Sequence, residues 1–203
     1  MDLILQEFDL NLRNLYLFNE IDNNTSLDII KQLNEIKIKD DNIISTNNHI
    51  IKQFYKNIDL SVLNNKSIIP NIYVNINSIG GECYPGFALF DKIKEINEYC
   101  NVIITVSGCC MSMAIIILLS VPYEQRICTK NTIFMIHQAS GFTIGKTKDL
   151  EEQVKETKRI TEQCFNIIEN NTDITKQMLI ENYNKKEDWF ITPEEALKYK
   201  IVS

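Results

Sequence analysis

Ser112 and His137 stand 25 residues apart in a chain that has only two histidines. A hydroxyl becomes a nucleophile when a neighbouring base takes its proton, and that base needs a carboxylate to fix its tautomer. Ser112, His137 and one acidic residue therefore form a candidate set for nucleophilic catalysis. Residue types alone leave the acid open among Asp149, Glu181, Glu187 and Asp188. Each member also has an ordinary reading. Ser112 heads an apolar run and fits a helix cap, and His137, at the end of an apolar strand, fits a satisfied core histidine. His49 lies in a stretch rich in Asn, Lys and Asp and reads as a surface residue.

Two glycine turns flank this set. One holds Gly80 and Gly81, the other runs from Gly108 to Ser112. Glycine lets backbone N–H groups approach a ligand, and a following helix start presents free donors, which is what an oxyanion needs. Two plain strand-to-helix connections would carry the same glycines. Other chemistries lack their motifs. No GxSxG surrounds Ser112, which disfavours an α/β-hydrolase; no GxxxxGK[ST] provides a phosphate loop; no HExxH or clustered His and Cys marks a metal site.

The elements that must position these residues follow from the hydrophobic pattern. Residues 15–18 and 72–76 read as strands. Ser26 reads as the cap of a helix carrying Leu27, Ile30, Leu33 and Ile36 on one face. The polar stretch 37–67, with Ile50, Phe54 and Leu60 scattered through it, fits an inserted loop, or a loop with a short helix near 48–57. A helix spans 84–99 with Phe87, Leu89, Phe90, Ile93 and Ile96 as its apolar set. A strand follows at 102–106, then a turn at Gly108 and a helix from Ser112 to Leu119. Residues 126–128 and 132–136 are short strands, and Gly141 and Gly145 punctuate a loop or hairpin. A long helix over 148–170 sets Leu150, Val154, Thr157, Cys164 and Ile168 beneath a charged face. Another helix lies near 175–183, and Thr192-Pro193 starts a last one. The alternation predicts an α/β fold, a single domain over residues 1–203 built from repeated ββα/βαβ crossover units.

Composition agrees with a globular chain. Of 203 residues, 44% are hydrophobic and 24% charged, enough to build one proper core. A net charge of −6 weighs against a nucleic-acid surface. The longest apolar run, from Met111 to Val121, is shorter than the roughly 20 residues a bilayer needs, and residues 1–13 carry no secretory pattern. No membrane or nucleic-acid partner is expected. Six cysteines without a CxxC pair read as reduced thiols in a reducing compartment.

Taken together, the segments resemble the ClpP family, the proteolytic subunits of the ATP-dependent Clp protease. Asn77-Ser-Ile-Gly-Gly81 with the helix after it looks like the family's NSPGG segment, and Gly108-Cys-Cys-Met-Ser-Met-Ala114 like its GxAASMA. Met135-Ile-His-Gln138 matches MIHQ, and Asp188 through Ala196 matches an aspartate, an aromatic, a Ser/Thr and an EA helix. The resemblance implies a ClpP/crotonase-like fold with Ser112 as nucleophile, His137 as base and Asp188 as its orienting acid. It implies an oxyanion hole from the N–H groups of Gly81 and Met113, and an extended polypeptide bound as a strand beside Ile79, Gly80 and Gln138. The helix from Lys148 becomes the handle that stacks heptameric rings into a tetradecamer. The chain needs no cofactor of its own, because a separate AAA+ ATPase spends ATP to unfold and deliver substrate. A bacterial-type cytosol or an organelle of bacterial descent is implied, with a plastid favoured by the Asn-rich, AT-type composition.

The departures point toward a ClpR-like paralogue, which shares the ring but contributes little proteolysis. Ile79 and Ala139 replace prolines, Cys109, Cys110 and Met111 crowd the nucleophile turn, and Lys186-Glu187 invert the usual acidic-then-basic order. The stretch 37–67 has no counterpart in the family, and the N-terminal segment is shorter than usual. A crotonase-type acyl-CoA enzyme, which shares the crossover fold and a two-amide oxyanion hole, is the remote alternative. The Ser112–His137 spacing argues against it.

Overall fold

The structure is a computed structural model that describes residues 5–55, 65–140, 144–185 and 187–203. Its centre is a sheet in the order β1-β2-β3-β5-β6, with β4 paired to β3 off that path. The strands are β1 (Asn14–Leu17), β2 (Ile72–Ser78), β3 (Val102–Met111), β4 (Arg126–Cys128), β5 (Ile133–Ile136) and β6 (Trp189–Ile191). All pairings are parallel except β5 with β6. The α/β class and the crossover logic are therefore as the sequence reads. The antiparallel β6, at residues 189–191, is an element the pattern did not predict.

Val102, Ile104 and Val106 alternate into the core along β3, as Val74 and Ile76 do along β2. Each such side chain, fully buried, is worth about 1.5–3 kcal/mol. One apolar cluster runs from Leu15 to Val202. Helix α3 (Cys83–Tyr99) buries Leu89, Phe90, Ile93 and Ile96, four of its five predicted positions, while Phe87 is partly covered.

Helix α1 spans Asn23–Phe54 and corrects two expectations. Its cap is Asp22, in a capping box with Thr25, and Ser26 is buried within the first turn. The stretch 37–67 is not a loop as far as Phe54, because α1 continues through it for 32 residues in all. The physical reason lies in its buried positions, Ser26, Ile29, Leu33, Ile36 and Asp40, which keep helical spacing. Asp40 breaks the apolar pattern because its carboxylate pairs with the buried Arg13 guanidinium, which also donates to Pro70 O at 2.7 Å. Asn47 breaks it again and exchanges two bonds with the Gln6 backbone, at 2.8 and 2.9 Å. The polar residues on this face are answered by the N-terminal segment. A short helix, α2 (Asn65–Ile68), precedes β2. Leu60 lies outside the described residues, as does Gly141.

Beyond the sheet come α4 (Met113–Leu118), α5 (Thr147–Asn171), α6 (Lys176–Lys185) and α7 (Pro193–Lys198). The long helix is where the sequence places it, but its apolar face is not wholly buried. Leu150 and Val154 are 39% and 54% exposed, and core contact begins at Ile160 and Phe165. Thr192 caps α7 with Pro193 at its start, as expected. Buried Arg126 donates to Val121 O at 2.8 Å and to Asn171 O at 2.9 Å, tying β4 to the end of α5. Among the described residues no helix is long and apolar enough to cross a membrane.

Candidate active site

The site begins where β3 stops being regular. Ile76 pairs with Val106, yet Ser78 pairs with Cys110, so Asn77 alone faces Ser107, Gly108 and Cys109. The turn expected at Gly108 is thus a bulge inside a longer strand. Gly108 takes φ +82° there, and a Cβ on it would lie 2.6 Å from Asn77 Oδ1. Past the bulge β3 leaves β4 and pairs with β5, Cys109 with Ile133 through Met111 with Met135. Ser112 N–H closes that ladder by donating to Met135 O at 2.8 Å.

Ser112 has φ 53° and ψ −123°, a sparsely populated region for a residue with a side chain. It occupies the cap position of α4 but caps nothing with its hydroxyl. Its Oγ lies 2.7 Å from His137 Nε2 instead. His137 follows directly on β5, so the β3–β5 register brings base and hydroxyl to the same sheet end. The strained turn aims Oγ sideways, out of the helix axis and toward the imidazole. Bulk at Cys109, Cys110 and Met111 does not prevent the contact. Cys110 is buried in the sheet opposite Phe134, and Cys109 Sγ sits 3.4 Å from Asn77 Oδ1. Burial pushes both thiols above their ordinary range, so neither competes as a thiolate nucleophile at neutral pH.

The other glycine turn backs onto Ser112. A Cβ at Gly80 would lie 2.7 Å from Ser112 Cβ and 2.6 Å from Met111 O. Gly80 O accepts from Ile21 N–H at 2.8 Å, and Glu82 N–H donates to Ile21 O at 2.7 Å. A Cβ on Gly81 would lie 2.2 Å from Ile21 O. Ile21 therefore pins the turn from behind, a role hidden in the sequence because it rests on backbone atoms. The Gly81 and Met113 N–H groups engage no acceptor among the described residues. Ile79 and Gln138 are exposed on either side of this end of the sheet.

The acid side is looser. Asp188 lies between α6 and β6, and Ile136 pairs with Trp189, which sets Asp188 across from His137. Its Oδ1 is 3.9 Å from His137 Nδ1, beyond hydrogen-bond reach, with His137 27% and Asp188 56% exposed. The other candidates separate cleanly. Asp149 caps α5 by accepting from Lys146 N–H at 2.9 Å, and Glu181 accepts from Gln177 at 3.0 Å. Glu187 lines the same cavity as Asp188 and His137 without an ion pair to the imidazole. Lys186 lies outside the described residues. His49 is exposed beside Gln53, as a surface residue.

Two hollows adjoin His137. One, mostly apolar, is lined by Cys83, Ser112, Met113, Ile116, Thr161 and Cys164. The other lies on the acid side, against Leu179, Asn182 and Tyr183. Among the described residues no group of three or more His, Cys, Asp or Glu could hold a metal ion. All six cysteines are free thiols. The arrangement is chemically a base poised on a hydroxyl, beside unpaired backbone donors and an apolar hollow.

Comparison with known proteins fits this geometry. The sequence profile described as Clp protease matches residues 22–203. The ATP-dependent Clp protease proteolytic subunit of Deinococcus radiodurans is 33% identical over 143 residues, 70% of this chain and 68% of that protein. The ATP-dependent Clp protease proteolytic subunit 3 of Rhizobium etli is 31% identical over 133 residues, 66% of each chain. A ClpP1 mutant from Listeria monocytogenes superposes with a TM-score of 0.70 and 25% identity, covering 95% of this chain and 90% of that one.

Proposed function

The chain belongs to the Clp protease family, and we propose that it is a serine endopeptidase subunit of a Clp-type ring. The observation that carries the reading is the 2.7 Å contact between Ser112 Oγ and His137 Nε2. Ser112 attacks the scissile carbonyl while His137 takes its proton. Asp188 stabilises the imidazolium from across the 3.9 Å gap, and the N–H groups of Gly81 and Met113 receive the oxyanion. His137 then returns the proton to the leaving amine, and a water hydrolyses the acyl-enzyme by the same route. The hollow beside Ser112 takes an apolar side chain, and the peptide lies extended along Ile79, Gly80 and Gln138. Unfolded polypeptide arrives from a partner AAA+ ATPase, which spends the ATP, and the chemistry here requires no cofactor. The exposed Leu150 and Val154 of α5 supply apolar surface for stacking two heptameric rings. Cleavage of a fluorogenic peptide with an apolar residue before the scissile bond tests the reading. Turnover by the purified ring, absent in Ser112→Ala, is expected; no turnover by a folded, assembled ring overturns it.

A second reading has one observation in its favour. The 3.9 Å separation and exposure of Asp188 fit a ClpR-like subunit that keeps the ring fold with a weak or silent site. It predicts co-assembly with an active ClpP paralogue, and a mixed ring whose activity is unchanged by Ser112→Ala in this subunit.

A further inference from the structure

We propose that Asn77 is a positioning residue for Ser112, acting through the bulge in β3. The inference rests on the reading of Ser112 as a nucleophile. Three residues of β3 must fit against one residue of β2, and a parallel ladder offers no carbonyl for the extra N–H groups. The Asn77 side chain supplies the missing acceptor: its Oδ1 takes Cys109 N–H at 3.1 Å and faces Cys109 Sγ at 3.4 Å. The same oxygen would lie only 2.6 Å from a Cβ on residue 108, so the side chain and Gly108 define one tight bulge.

The bulge has a directional consequence. Before it, Ile104–Val106 pair with β4; after it, Cys109–Met111 pair with β5. That change of partner is what carries Ser112 to the strand that ends beside His137. Between Cys109 and Ser112 there are only two residues, both in the ladder, so a shift of the bulge passes directly to the Ser112 hydroxyl. A displacement of about 1 Å costs on the order of 100-fold in rate. Asn77 touches neither the hydroxyl nor the imidazole, and its effect travels through backbone alone. An acceptor is needed at this position, but an amide is not, since a carboxylate accepts the same N–H.

The test compares Asn77→Ala with Asn77→Asp. A fluorophosphonate probe reads the nucleophilicity of Ser112, whose hydroxyl displaces fluoride to form a phosphonate ester, and hydrogen exchange of the peptide containing Cys109 N–H reads the bond. Asn77→Ala is expected to label about 100-fold more slowly and to lose protection at Cys109, with little change in apparent probe affinity. Asn77→Asp is expected to label within about threefold of wild type with protection kept. That rescue distinguishes an acceptor role from general destabilisation. Should Asn77→Ala not fold, Asn77→Ser takes its place, since its hydroxyl is one bond too short to reach Cys109. Unchanged labelling or unchanged Cys109 protection in the truncated variant overturns the proposal, as does Asn77→Asp labelling as slowly as Asn77→Ala. Folded wild type that takes no label removes the nucleophile reading instead, and the exchange comparison then decides the Asn77 bond by itself.

Discussion

Ser112 and His137 meet across two paired strands, whereas His137 and Asp188 face each other from a connection between a helix and an edge strand. The first contact measures 2.7 Å and the second 3.9 Å. On the serine side, the contacts lie among strands already committed to the core: the β3–β5 ladder, the Ser112 N–H on Met135 O, Gly80 against the Ser112 Cβ, and the Asn77 side chain on Cys109 N–H. On the acid side, one pairing of β6 with β5 sets the approach, and Asp188 is more than half exposed. At nearly 4 Å in a water-like environment the charge attraction is only about 1 kcal/mol. Ser112 and His137 are therefore brought together by two paired strands of the core, while Asp188 is held only by its place beside the β5–β6 pairing.

Mutations sharpen this contrast. Ser112→Ala or His137→Ala removes the rigid pair itself and is expected to lower turnover by about 10⁶-fold, measured by peptide hydrolysis. Gly80→Ala attacks its mooring. The new Cβ would lie 2.7 Å from Ser112 Cβ at a residue with φ +98°, and acylation of Ser112 should fall about 100-fold while the protein still folds. Asp188→Asn tests the loose side. An effect of only about tenfold in kcat fits an exposed acid at this distance, whereas a loss near 10⁴-fold would mean that Asp188 closes fully onto His137 during catalysis and would break the comparison. Trp189→Leu is the mildest. Trp189 packs on Tyr199 at 5.6 Å between ring centres and pairs with Ile136. Loosening it should change turnover about threefold and leave the rate of Ser112 labelling unaltered.

The same contrast explains what could be read from the residues. The Ser112–His137 pair was legible because hydrophobic strands and glycine turns announce where a sheet ends, and both residues sit at such ends. Asp188 needed the family resemblance, since pattern alone left four acids open. The structure separates them by giving Asp149 and Glu181 other partners. Ile21 and Asn77 went unread for a common reason. One works through backbone atoms, the other through a side-chain oxygen that replaces a ladder acceptor, and neither leaves a hydropathy signature. The extension of α1 was missed because Asp40 and Asn47 occupy its inward face, where a search for apolar residues sees a break. Their partners, Arg13 and Gln6, are distant in sequence and appear only once the chain is folded.

The central claim, that Ser112 is a nucleophile activated by His137, is tested most directly by intact-mass analysis after treatment with a fluorophosphonate probe. The account predicts a single adduct mapped to Ser112 in the wild-type assembly and none in His137→Ala. A folded wild-type assembly that stays unmodified, or labelling of Ser112 that persists undiminished without His137, would contradict it.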